Sequence, residues 1–108
     1  MKITVKDQPC GYKTEICVER VDRRSVRVRV KSECPDVQRY GERLGILDAK
    51  EVLTKIPENK VYRLADIRHS TCIIPYMILK AAEIELGLNV KKFFSYQIDE
   101  SCENFELS

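Results

Sequence analysis

Apolar and polar residues alternate along the first third of the chain. Ile3 and Val5 alternate with Lys2, Thr4 and Lys6, and Ile16 and Val18 alternate with Glu15, Cys17 and Glu19. A period of two sends successive side chains to opposite faces, so residues 2–6 and 12–21 read as half-buried strands. After the polar turn Asp22-Arg23-Arg24, Val26, Val28 and Val30 alternate with Arg27, Arg29 and Lys31, the strictest strand pattern in the chain. A hairpin of the second and third strands would place Glu15, Glu19 and Cys17 on the solvent face beside these basic residues.

The period changes at Cys34-Pro35-Asp36. Proline suits the first turn of a helix, and Val37, Tyr40 and Leu44 recur at helical spacing, which predicts a short helix directly after Cys34. Asp48 with Glu51 three residues on has the form of a capping box. A second helix is therefore expected, with Ala49, Val52, Leu53 and Ile56 on one face and an end at Pro57-Glu58-Asn59. Val61, Leu64 and Ala65 predict a third, brief helical segment. Residues 75–86 predict the longest helix, stopped by Gly87, with Tyr76, Lys80 and Glu83 as its polar stripe and the rest apolar enough to lie across a sheet.

Phe94, Tyr96 and Ile98 alternate with Ser95, Gln97 and Asp99, so residues 91–100 are expected to supply a last strand, and residues 101–108 a flexible tail. The order β-β-β-α-α-α-β predicts an α+β fold of two layers, a mostly antiparallel four-stranded sheet with its helices packed on one face. At 108 residues the chain suits one such domain, assigned to residues 1–100.

Charge narrows the partners. Nineteen Lys and Arg are nearly matched by seventeen Asp and Glu, and a net charge of +2 argues against a general nucleic-acid binder. The cluster Arg20, Arg23, Arg24, Arg27, Arg29 and Lys31 is interleaved with glutamates and lacks stacking aromatics, so it reads as a solvated strand face. No stretch approaches the ~20 apolar residues of a membrane span, and no apolar run of signal-peptide length opens the chain. A cytoplasmic protein without membrane contact is expected, with a protein partner or homo-oligomer left open through the hairpin face or an edge strand.

Five cysteines, at 10, 17, 34, 72 and 102, form an odd set without close pairs. In a reducing compartment such a set points to metal binding or thiol reactivity in preference to disulfides. Cys34 and Cys72 each precede a predicted helix with proline in its opening turn, where the positive helix end favours a thiolate. His69, the sole histidine, stands three residues before Cys72, and Cys10-Gly11 occupies the loop between the first two strands. Cys10, Cys34, His69 and Cys72 are thus candidate metal ligands, a set suited to tetrahedral zinc or, in a more open site, an iron–sulfur cluster. Two alternatives stand beside this: thiol-based redox or transfer chemistry, with Cys72 or Cys34 as nucleophile and His69 as base, and a binding module or subunit without chemistry. Cys17 and Cys102 belong to none of these sets. Glu85, on the apolar side of its helix, is expected to reach a helix-end partner or the rim, and Tyr40 and Tyr62 to fill core.

The run Cys10-Gly11, Cys34-Pro35-Asp36 and His69-Ser70-Thr71-Cys72-Ile73-Ile74-Pro75, leading into Leu79-Lys80-Ala81-Ala82-Glu83 and Gly87-Leu88, resembles a group of small uncharacterised proteins from methanogenic archaea and other anaerobes. The likeness spans nearly the whole chain and implies the fold and cysteine pattern, with no reaction attached. More distantly the layout resembles the TSCPD domain, a cysteine-containing module found alone or at the end of some ribonucleotide reductases, which implies metal binding. Its Cys-Gly resembles Cys10-Gly11, its cysteine after the hairpin resembles Cys34, and its Thr-Ser-Cys-Pro-Asp resembles Ser70-Thr71-Cys72. Here Ile73 stands in place of the proline, and His69 takes the place of a further cysteine.

Overall fold

The computed structural model describes residues 1–103 and 105. Strands β1 (Lys2–Val5), β2 (Thr14–Asp22), β3 (Ser25–Ser32) and β4 (Ile46–Asp48) form one antiparallel sheet in the order β1-β2-β3-β4. The helices are α1 (Pro35–Glu42), α2 (Ala49–Leu53), α3 (Lys60–Arg63) and α4 (Ile74–Glu85). The fold is α+β, with a mostly antiparallel four-stranded sheet and helices packed against it, as the periodicity predicts.

Register decides which side chains are buried. Ile3 lies opposite Ile16, Ile16 opposite Val30, Val18 opposite Val28 and Val26 opposite Leu47, so the apolar positions of all four strands share a face. Ile16, Val18, Val26 and Leu47 are fully buried there, each side chain contributing about 1.5–3 kcal/mol. The other face carries the charges: Lys2 pairs with Glu15 at 3.3 Å, and Arg29 pairs with Glu19 while donating to Cys17 Sγ at 3.6 Å. The expected solvent face of the hairpin, Cys17 included, is therefore as built.

Helix α1 packs closely on β3, because Gly41 faces Val30 so tightly that a Cβ at position 41 would overlap the valine side chain. From the same helix the Tyr40 hydroxyl donates to the Val61 carbonyl at 2.6 Å, and burial pushes this phenol well above the ordinary tyrosine range. Tyr62 is half-buried. The capping box of α2 is present: Asp48 accepts from the Glu51 N–H at 2.8 Å and Glu51 accepts from the Asp48 N–H at 3.1 Å. This helix ends at Leu53, so Val52 is buried while Leu53 and Ile56, expected on the same face, are exposed.

Buried Asn59 joins α2 to α3. Its amide donates to the carbonyls of Val52 at 3.1 Å and Thr54 at 2.8 Å, and its oxygen accepts from the Val61 N–H at 3.0 Å. Helix α4 lies across β2 and β3 with Ile74, Pro75, Ile78, Ala81 and Ala82 buried. Its end is a Schellman turn: Gly87 at φ +74° donates to the Ile84 carbonyl at 3.0 Å, and Leu88 to that of Glu83 at 2.8 Å.

The observed order, β-β-β-α-β-α-α-α, differs from the predicted β-β-β-α-α-α-β in the place of its fourth strand and in having four helices. The fourth strand is β4, inserted between α1 and α2, and residues 92–99 form neither helix nor strand. Strand β4 spans Ile46–Asp48, too short to show a period, and it is aimed by Gly45 at φ +59°, whose carbonyl accepts from the Val28 N–H at 2.9 Å. Of the expected tail, residues 101–103 and 105 carry no helix or strand, and the remainder lies outside the described residues. Among the described residues no helix is long and apolar enough to cross a membrane.

Candidate functional site

At the end of the sheet where β2 begins and β3 finishes, both α1 and α4 start. The loop before β2 is shaped by two left-handed residues, Asp7 at φ +59° and Gly11 at φ +80°. The Gly11 N–H donates to the Gln8 carbonyl at 2.8 Å, and the Gln8 amide donates to the Tyr12 carbonyl at 2.9 Å, which leaves Pro9 and Cys10 at the tip. Cys10 is exposed.

A short polar chain fixes Cys34. Buried Thr14 shares a 2.7 Å hydrogen bond with the Ser32 hydroxyl, which also accepts from the Cys34 N–H at 3.1 Å, while the Ser32 N–H donates to Gln38 Oε1 at 2.8 Å. Cys34 is half-buried and is the N-cap of α1, with Pro35 next, as the sequence predicts. Its side chain makes no cap hydrogen bond, which leaves the sulfur free to face the cavity.

The third wall comes from the segment before α4. Asp36 accepts from the Arg68 N–H at 3.3 Å and from Arg39 Nη2 at 2.6 Å, and its carboxylate lies 3.5 Å from Arg68 Nε. The Arg68 N–H first, then the two guanidinium groups, hold this carboxyl below the usual carboxylate range. The Cys72 N–H donates to the His69 carbonyl at 3.1 Å, forming a turn that keeps His69 exposed on the rim and Cys72 half-buried. Asp36, inside the Cys-Pro-Asp triplet, is a positioning residue that sequence reasoning passed over.

These walls enclose an open cavity of about 360 Å³. All four of the candidate residues line it: Cys10, Cys34, His69 and Cys72, together with apolar Val37, Ile67, Ile73 and Ile74 and with polar Gln8, Thr14 and Thr71. Sharing a cavity is not sharing a centre. Tetrahedral zinc needs its donors within about 2.0–2.3 Å of one point. Among the described residues, no group of three or more His, Cys, Asp or Glu side chains is placed to hold a metal ion. The reading of Cys10, Cys34, His69 and Cys72 as zinc or iron–sulfur ligands is thereby corrected, and with it the metal-binding function: the four line one cavity, and no three of them are placed to hold a metal ion.

The thiolate expected at Cys72 is corrected as well. Helix α4 begins at Ile74, two residues on, so Cys72 stands outside the cap. Burial pushes its thiol above the ordinary thiol range. The Ile74 N–H opposes that shift, and the neighbouring Cys34 and Cys10 reinforce it. A protonated thiol is a weak nucleophile and behaves as a small, polarisable apolar group. All five cysteines are free. Glu85 is accounted for outside the cavity, as the 3.3 Å partner of the Met1 amino group.

Residues 1–98 match a family of unknown function, DUF6951, and the chain belongs to that family. No curated protein and no solved structure matches the chain.

Proposed function

We propose that this protein is a binding module whose thiol-lined cavity takes a small, largely apolar molecule carrying one or two hydrogen-bonding groups. The observation that carries this reading is the cavity itself. Its volume of about 360 Å³ falls in the range of small-molecule sites, and its isoleucine and valine walls are interrupted by a few polar groups that can fix orientation. The raised Cys72 thiol supports binding over covalent chemistry, since at neutral pH it presents S–H to a ligand. The order of cysteines that resembles the TSCPD module is in keeping with three thiols set around one cavity, and this chain would use that layout without a metal.

Indole, an apolar ring with one N–H, is a suitable probe. Titrated into labelled protein, it is expected to move the amide resonances of residues 8–14, 34–37 and 67–74. Ile67→Trp, which fills the cavity from its own wall, should abolish those changes while the protein stays folded. Shifts confined to residues 88–98, or an unaltered response in Ile67→Trp, would remove the reading.

A further inference from the structure

Among the described residues, 88–98 hold the densest run of exposed large apolar side chains. Phe94, Tyr96 and Ile98 are 56, 78 and 76% exposed, and Leu88 and Val90 are exposed too. Among the described residues, no backbone hydrogen bond ties residues 93–100 to a strand or helix. From Phe94 onward the stretch nonetheless carries a strand pattern, with Phe94, Tyr96 and Ile98 alternating with Ser95, Gln97 and Asp99, while half-buried Phe93 lies on the other parity. Unpaired backbone with one apolar face is what a sheet partner completes.

The charges at its ends select the partner. Lys92 opens the even-numbered face and Glu100 closes it, four residues either side of Tyr96. We infer that residues 92–100 pair antiparallel with the same residues of a second copy, the two-fold axis passing at Tyr96. In that register Tyr96 meets Tyr96 of the second copy, Phe94 meets Ile98, and Lys92 meets Glu100, each contact occurring twice except the first. Shifting the register by two positions would put Lys92 opposite Ile98 and lose both ion pairs. Opposite residues of an antiparallel pair share a face, so the apolar contacts and the ion pairs fall on one side of the ribbon. A two-stranded ribbon alone is marginal in water and needs a surface to lie on. Tyr76 of α4 supplies it: the Phe94 ring already meets Tyr76 edge-on, with ring centroids 5.6 Å apart. The contact is isologous, so assembly closes at two copies.

Sedimentation equilibrium of the full chain is expected to give twice its 12.6 kDa mass. Ile98→Lys should weaken dimerisation about a hundredfold, because each dimer loses two apolar contacts. Lys92→Glu and Glu100→Lys should each weaken it about tenfold by setting like charges opposite one another. The double variant carrying both exchanges should dimerise as the parent does. Mild oxidation of Tyr96→Cys should link position 96 to position 96, identified in the cross-linked peptide. A monomer at every concentration, a double variant no better than the single ones, or cross-links from position 96 to the β1 edge at residues 2–5 would each overturn the proposal.

Discussion

Strand β3 and residues 91–100 carry the same two-residue period, yet only one of them is a strand in the isolated chain. Val26 and Val28 are buried between β2 and the helices, and β3 is paired along both edges, by β2 over its whole length and by β4 at Ser25–Arg27. Phe94, Tyr96 and Ile98 repeat that alternation and face solvent. The difference lies in the neighbours. The tight turn Asp22-Arg23-Arg24, with the Asp22 carboxylate accepting from the Arg24 N–H at 2.8 Å, returns β3 directly onto β2. The later stretch leaves a Schellman turn at the end of α4, and among the described residues no strand pairs with it. Periodicity states which face a segment would bury; pairing requires a partner within reach.

The largest effect that should separate the two regions is truncation of their apolar faces. Val28→Ala is expected to lower unfolding free energy by about 3 kcal/mol, the sum of lost transfer energy and the residual cavity. Tyr96→Ala should change it by less than about 0.5 kcal/mol when the protein is dilute. Urea unfolding followed at low and high protein concentration checks both. If residues 92–100 pair with a second copy, the Tyr96 effect grows with concentration while the Val28 effect does not, because binding to the folded state adds stability by mass action. Equal costs at low concentration would erase the distinction between the regions.

The comparison also explains what was legible in the sequence. Long-period signals survived: three strands, the Asp48 and Glu51 capping box, the proline-started α1 and the apolar α4 lie where the pattern puts them. Strand β4 was not legible, since three residues cannot display a period and its pairing depends on the Gly45 turn. The convergence of Cys10, Cys34, His69 and Cys72 could be read because each stands at the edge of an element that ends at the same side of the sheet. That no three of them are placed to hold a metal ion could not be read, because side-chain directions decide it and the segment before α4 is held by an Asp36–Arg68 contact 32 positions apart in the chain.

A smaller effect is expected where helices meet without a shared sheet. Asn59 donates to three carbonyls at the end of α2, those of Glu51, Val52 and Thr54, and caps α3, so Asn59→Ala both removes a cap and takes a donor from buried carbonyls. The expected cost is about 2 kcal/mol. Asn59→Asp keeps the cap and loses the donors, so it should fall between alanine and the parent. Chemical denaturation of the three proteins checks the order. An alanine variant as stable as the parent would show that water replaces the amide without cost, and that the α2–α3 junction is as loosely tied as residues 92–99.

The smallest effect concerns the cavity, where burial is only partial. The folded state raises the Cys72 thiol above the ordinary value of about 8.5, so it favours the protonated form. The stabilisation associated with that proton is complete below the ordinary thiol range and is lost as pH rises through the higher folded value. Between about pH 8 and 10, the parent should therefore lose stability more steeply than Cys72→Ala. Cys10→Ala, which removes an exposed thiol, serves as the control for the cysteine deletion itself. Alkylation by iodoacetamide at pH 7.5 reads the same property without unfolding: Cys10 and Cys102, both exposed, should react before half-buried Cys72. Cys72 reacting first, with a pH slope unchanged by its removal, would place a thiolate in the cavity and turn the binding site back into a reactive one.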